Sequence, residues 1–223
     1  MNTIVGDTGT VRMPITLTTL DAFRAWVHSD DVSEDTRAYF LDGEIWIDMS
    51  KEQLFSHNQV KSELNSVLRG LARSRKLGRY LADGMLITNA VAELAAQPDG
   101  AFYSYESHRT GAVTQKGGAT GGIVELEGAL DLVIEVVSDS SVEKDTRTLP
   151  RLYFRAGVSE YWLIDARREP LTFQIFQRGA VKFRSNRPRD GWVSSSVFGL
   201  EFRLSRQTDA VGHPDYVLDY REP

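Results

Sequence analysis

A glutamate stands inside an otherwise greasy octapeptide, Leu130-Asp131-Leu132-Val133-Ile134-Glu135-Val136-Val137. A short apolar run of this kind reads as a central strand buried on both faces. Alternation places Asp131, Val133, Glu135 and Val137 on one face and Leu132, Ile134 and Val136 on the other. An ionised carboxylate there costs several kcal/mol unless a cation compensates it or its pKa rises. Two compensations are open: a buried pair with Arg or Lys, or a divalent metal ion.

Asp131 is a poor second ligand for such an ion. Four residues along a strand span about 13 Å, whereas ligands of one Mg²⁺ lie within about 4 Å of each other. The partner should come from a neighbouring strand. Asp99, in Gln97-Pro98-Asp99-Gly100-Ala101-Phe102, is the best candidate, because a proline marks a strand edge just before it; taken alone it reads as a turn carboxylate. Glu44, directly after Asp42-Gly43, is a candidate third acid, or an exposed hairpin residue. His57 near the start of a long helix and Lys144 at the entry of the helix after the Glu135 strand complete the constellation. Taken singly, each of the last two reads as an ordinary packed or solvated side chain.

These residues need a scaffold, and the pattern supplies one. Residues 16–28 read as a short amphipathic helix capped at Thr18 or Thr19. Arg37 to Met49 reads as a hairpin around Asp42-Gly43. From Lys51 to Leu77 apolar residues fall at helical spacing and Gly78 stops the pattern. Strands are expected at 85–88, 100–104, 131–138 and 160–165, a hairpin at 171–183 across Arg178-Gly179, and a last strand or two within 192–204. Residues 142–156 read as helical with a break near Thr148, since an interior proline, Pro150, costs about 3 kcal/mol. Ser140 and Glu143 have capping-box spacing. Residues 105–129, rich in Gly, Ser and Thr, read as a mobile excursion that contributes little core. Residues 1–36 read as an N-terminal extension, 37–204 as the core and 205–223 as a polar tail of one domain. The order of elements implies an α/β or α+β fold on a mixed sheet, with a crossover unit joining 131–138 to 160–165.

Composition removes several classes. The 223 residues carry 26 basic and 31 acidic side chains, net −5, which argues against binding through bulk positive charge. Zero cysteines exclude disulfide scaffolds, zinc ribbons, thiol proteases and iron–sulfur clusters. With no signal-like N-terminus and no long apolar run, a cytoplasmic location is expected. P-loop, G-x-G-x-x-G, H-E-x-x-H and G-x-S-x-G motifs are absent, and GGATGG at 117–122 lacks the ending of a phosphate loop.

The stretch EVVSDSSVEKDTRTLPRLYFRAGVSEYWLIDAR, residues 135–167, resembles the signature of the Uma-type family of bacterial endonucleases, within the PD-(D/E)XK superfamily. LDGEIW at 41–46, the helix with His57 and QPDGAF at 97–102 occur in the family's order, so the resemblance spans roughly residues 37 to 200. It implies a restriction endonuclease-like core whose first helix is 51–77. It also implies that Asp99 is the superfamily's PD aspartate, Glu135 its second acid, Glu44 an additional acid and His57 the helix histidine. Two departures stand out. Where the superfamily's lysine follows the acid by two residues this chain has Val137, leaving Lys144 as the nearest basic substitute. Leu130-Asp131 also stands where a Pro-Asp often opens the third strand.

The implied activity is Mg²⁺-dependent hydrolysis of phosphodiester bonds in DNA, with Mn²⁺ a possible substitute. Asp99 and Glu135 would hold the metal, helped by Glu44, and Lys144 or His57 would orient the nucleophile or stabilise the transition state. Lys61, Arg69, Arg73, Arg75, Lys76 and Arg79 are candidates for a phosphate track, or a solvated helix face. Double-strand cutting would call for a homodimer. Two other classes compete: a catalytically degenerate nuclease fold serving as a binding or assembly module, and an acyl-serine enzyme built on Ser141-Val142-Glu143-Lys144.

Overall fold

The computed structural model describes residues 2–6, 9–13, 17–33, 36–118 and 121–223. Residues 34–35 of the expected loop, Thr16 of the expected first helix and the Ala119-Thr120 centre of GGATGG lie outside them. In chain order, β1 (Asn2–Gly6) and β2 (Gly9–Met13) form an antiparallel pair. Helix α1 (Leu20–Val27) is capped by Thr19, whose hydroxyl accepts the Ala22 N–H at 3.2 Å. The hairpin is β3 (Arg37–Leu41) and β4 (Glu44–Asp48), turned by Asp42 and Gly43, both at positive φ as a tight hairpin requires. A π-helical turn, Leu54–Asn58, then opens α2 (Gln59–Ser74).

Next come β5 (Gly78–Ala82), β6 (Leu86–Asn89), β7 (Leu94–Ala96) and β8 (Gly100–Ser104). Helix α3 (Tyr105–Arg109) precedes β9 (Val113–Gly117), β10 (Ile123–Gly128) and β11 (Leu132–Val136). A second π-helical turn, Lys144–Thr148, leads into α4 (Leu149–Arg155) and β12 (Glu160–Asp165). The chain ends through β13 (Thr172–Arg178), β14 (Phe183–Ser185), β15 (Val193–Ser195), β16 (Leu200–Thr208) and β17 (Pro214–Arg221).

Two six-stranded mixed sheets dominate, in the orders β4-β3-β7-β6-β10-β9 and β14-β13-β12-β11-β8-β5, with β15-β16-β17 as a third. The central strand β11 runs parallel to β12 through the α4 crossover and antiparallel to β8. Its alternation sorts the cores as the sequence predicts. Leu132, Ile134 and Val136 pack with Val60, Leu64, Leu68 and Leu71 of α2, while Val133 and Val137 pack with Leu149, Leu152 and Tyr153 of α4. Glu135 therefore points to the α4 side.

Several expectations are corrected. The segment 105–129 is no poor core former: β9 and β10 complete the first sheet, and Val113 and Leu126 are buried in the core. Its polar residues are those of an edge strand, whose outer face meets water. The tail 205–223 is likewise structured. Strand β17 pairs with β16 and buries Tyr216 and Leu218 beside α2, and Glu63 accepts the Leu218 N–H at 2.8 Å.

Gly78 does not cap α2. Lys76 takes the left-handed position (φ 54°), with the Leu77 N–H returning to the Ala72 carbonyl at 3.0 Å. Gly78 is needed for approach instead, since a Cβ there would lie 2.1 Å from the Tyr103 carbonyl oxygen. The break expected near Thr148 is a change of hydrogen-bond period: the π-helical turn closes with the Leu149 N–H on the Lys144 carbonyl, and Pro150 falls in the first turn of α4. The Ser140–Glu143 box is replaced by other contacts. Ser141 Oγ accepts the Ser138 N–H at 2.9 Å, and the Ser140 hydroxyl lies 3.1 Å from that of Ser138.

Candidate functional site

Strand pairing brings the two acids together. Ile134 of β11 lies opposite Gly100 of β8, so one further step of that antiparallel register sets Asp99 across from Glu135. Asp99 is 8% exposed and Glu135 1%. Asp99 Oδ2 accepts the Val136 N–H at 2.7 Å. Glu135 Oε1 accepts the hydroxyl proton of Tyr153, on α4, at 2.7 Å. Both acids line a cavity of about 120 Å³ with His57, Lys144, Asp145, Tyr39, Glu52 and Asp48.

Basic side chains of α2 and of the π-helical turn that opens it reach Asp99. His57 and Lys61, one helical turn apart on one face, reach the same aspartate: His57 Nε2 lies 3.5 Å from Asp99 Oδ2 and Lys61 Nζ 3.5 Å from Asp99 Oδ1. Glu52 accepts from His57 Nδ1 at 2.9 Å and also pairs with Lys61. Lys61 donates to Asp83 at 2.6 Å, as does Arg37 at 2.8 Å. From the other side comes Lys144, its ammonium 3.1 Å from Asp145 Oδ1 and 4.3 Å from the centre of the Tyr39 ring.

The two acids respond oppositely to this field. Burial penalises the Asp99 charge, but His57, Lys61 and the Val136 N–H overcome that and hold its pKa below the usual carboxylate range. Burial pushes Glu135 well above that range, aided by the charges of Asp145 and Asp99 and only partly opposed by Lys144. Burial also raises Asp145, to about 6. His57 is held above its ordinary value, burial notwithstanding, by Asp99 and Glu52. Lys144 is likewise raised, because Glu135, Tyr39 and Asp145 outweigh its burial.

Of the residues singled out by sequence, Asp99, Glu135, His57 and Lys144 converge on this cavity and Glu44 does not. Glu44 is exposed at the turn end of the hairpin; the open end, with Arg37 paired to Asp48, faces the cavity. The turn end is held elsewhere, by Arg151 and Arg155 on Asp42 at 3.0 and 2.8 Å. Val137 is 1% exposed against α4, so a lysine at that strand position would be driven into apolar core. Asp131 serves α3, accepting the Ser104 N–H at 2.6 Å and the Ser107 hydroxyl at 2.9 Å. The Ser141 hydroxyl donates to Asp145, which occupies the Lys144 ammonium, so no free amine activates that serine.

Lys61, grouped by sequence with the phosphate-track cations, instead pairs with the cavity residues Glu52 and Asp99, and Tyr153, Asp145 and Glu52 join the site without having been singled out. The four-residue step from His57 to Lys61 was the available signal for the first. Tyr153 and Asp145 lie on a helix whose facing side depends on the π-helical turn, and Glu52 lies in a segment without periodicity.

The donor set suits a hard divalent cation. Asp99 and Glu135 face each other across neighbouring strands. The buried Asp145 Oδ1 lies near the Lys144 ammonium but accepts no hydrogen bond among the described residues. Among those residues no three His, Asp or Glu side chains are gathered into a ready cage.

With this geometry in place, comparison with known proteins decides the family. A family model described as "Uma2: Putative restriction endonuclease" matches residues 20–207. The chain belongs to the Uma2 family. Among solved structures, a protein from Anabaena variabilis described as "a putative nuclease belonging to DUF820" is similar at a TM-score of 0.61 and 18% identity. The similarity covers 83% of this chain and 91% of that one. It shows a shared fold, the restriction endonuclease-like α+β architecture implied by the sequence resemblance. No curated protein matches. Within this Uma2 chain, no helix among the described residues is long and apolar enough to cross a membrane.

Proposed function

We propose that the chain is a Mg²⁺-dependent endonuclease that hydrolyses phosphodiester bonds in DNA. The observation that carries this reading is the placement of Asp99, at the start of β8, across from Glu135 of the neighbouring strand β11, both lining one cavity. Asp99 and Glu135 are the residues that would hold the ion, and Asp145 lines the same cavity. A divalent ion in such a site supplies Lewis-acid stabilisation and a more acidic bound water.

The chain's own residues have separable tasks. Tyr153 orients Glu135 through its hydroxyl. His57, fixed between Glu52 and Asp99, presents an imidazolium to the cavity. Lys144 stays charged and is aimed by Asp145 and the Tyr39 ring, where its ammonium can meet a non-bridging phosphate oxygen as charge develops. It thereby takes the part of the lysine missing at Val137.

The test is nicking of supercoiled plasmid with and without Mg²⁺. Asp99→Ala and Glu135→Ala should reduce cleavage to background while circular dichroism stays native. Wild-type cleavage by Glu135→Ala would overturn the assignment.

A second reading rests on a specific observation: His57, Lys61 and Lys144 already crowd the carboxylates. On that reading the chain is a nuclease-fold binding module without turnover. Calorimetric titration with Mn²⁺ separates the two, since the module should bind weakly and cleave nothing.

A further inference from the structure

Outside the cavity, four cations without acidic partners share one groove. It has a volume of about 820 Å³ and runs between the C-terminal half of α2 and β5, lined by Arg69, Arg73, Lys76 and Arg79. All four are exposed, and among the described residues none of them forms an ion pair. In a chain of net charge −5 such a local excess of positive charge is a departure from the average surface. Arg75 marks the contrast: it lies outside the groove lining and pairs with Glu222 at 2.6 Å.

Two further features give the groove a direction and a ligand class. Its one acid, Asp83, is occupied by Lys61 and Arg37, and Lys61 in turn reaches Asp99. The groove thus abuts the acidic cavity across a single side chain. On its wall stands Tyr105, 49% exposed, its backbone N–H fixed to the Leu77 carbonyl at 3.1 Å. A cationic channel with an exposed aromatic ring is the chemistry of single-strand binding, in which phosphates follow the cations and a base stacks on the ring.

We infer that the α2–β5 groove binds a single nucleic-acid strand, with Arg69, Arg73, Lys76 and Arg79 on its phosphates and Tyr105 under one base, and leads that strand to the cavity. Arg69 and Arg73 are one turn apart on one helix face, and Lys76, just past the helix end, lines the same groove. The inference rests on the nuclease reading for its direction, not for the binding itself.

The experiment is fluorescence anisotropy of a labelled single-stranded 20-mer and its duplex, with the full chain in EDTA. An Arg69→Ala/Arg73→Ala/Lys76→Ala variant should bind the single strand at least about tenfold more weakly. Its plot of log affinity against log salt should be shallower by about two, at roughly 0.7 per lost phosphate contact. Tyr105→Ala should cost about fivefold or more for the single strand and little for the duplex. Lys182→Ala, an exposed charge elsewhere, serves as control. Unchanged single-strand affinity in the triple variant, or a duplex preference insensitive to Tyr105→Ala, overturns the proposal. Binding through the groove without Mg²⁺-dependent cleavage sinks the nuclease reading and leaves the groove. Cleavage with an unaltered KM in the triple variant sinks the groove and leaves the cavity.

Discussion

Burial holds the Glu135 carboxyl pKa well above the usual range, against opposing neighbours. Burial and two neighbouring acids favour the protonated form, whereas Lys144 and the Tyr153 hydroxyl favour the ionised one. On the proposed nuclease reading, this group works as the carboxylate. Tyr153→Phe removes a hydrogen bond that stabilises the ionised form, so the Glu135 pKa rises. The acid limb of the kcat–pH profile should therefore move to higher pH, with the alkaline limb unchanged. Lys144→Met should lower kcat about 10²–10³-fold, the scale seen when one preorganised charge is lost from a transition state. Lys144→Arg should recover part of it, as measured by plasmid nicking. Much of this pair was legible in sequence, because an acid among valines breaks the strand pattern openly. Tyr153 was not: an aromatic on an amphipathic helix looks like core, and its core contacts are real as well.

At the scale of elements, positions fixed by alternation or turn chemistry were readable, and those fixed by long-range pairing were not. Strands β8, β11 and β12 and the Asp42-Gly43 hairpin fall where apolar spacing puts them. The β9–β10 pair was missed because β9 buries only Val113 and presents the rest to water. What fixes it is partly ionic. Glu125 on β10 is 2% exposed and accepts from Thr88 at 2.5 Å, His28 at 3.0 Å and Arg24 at 2.6 Å, which tie α1 to the sheet. Burial opposes the Glu125 charge, yet these partners hold its pKa below the ordinary 4.5.

A depressed carboxylate stabilises the fold above its unfolded pKa and loses that contribution as pH falls through the folded value. The stability difference between wild type and Glu125→Gln should thus be full at pH 7 and shrink below about pH 4.5, read by urea unfolding across pH. Gly78→Ala tests the close approach of β5 to β8. With its Cβ set against the Tyr103 carbonyl, the variant should lose several kcal/mol in the same assay.

For the whole molecule, the C-terminal strand closes the face of α2. Deleting residues 213–223 uncovers the Tyr216 and Leu218 positions beside Val60 and Leu64. Two large apolar side chains are worth about 3–6 kcal/mol of burial. The truncated chain should unfold at correspondingly lower urea, and Glu63 would lose the Leu218 N–H it accepts. The tail looked polar in sequence because only alternate residues of β17 face inward, and a two-residue apolar signal is easily lost among Asp and Arg.

Helix α2 joins the cavity and the groove as one rigid rod. Lys61 stands at its cavity end and Arg73 at its groove end, about 18 Å apart at 1.5 Å per residue. A rod of set length works as a ruler. Even at the duplex rise of about 3.4 Å per nucleotide, its span equals at most about five nucleotides on one side of the bond that the proposed nuclease would cut. Oligonucleotides trimmed below that length on the gripped side should be cut more slowly, while trimming the opposite side changes little. A ladder of end-labelled substrates would show the step.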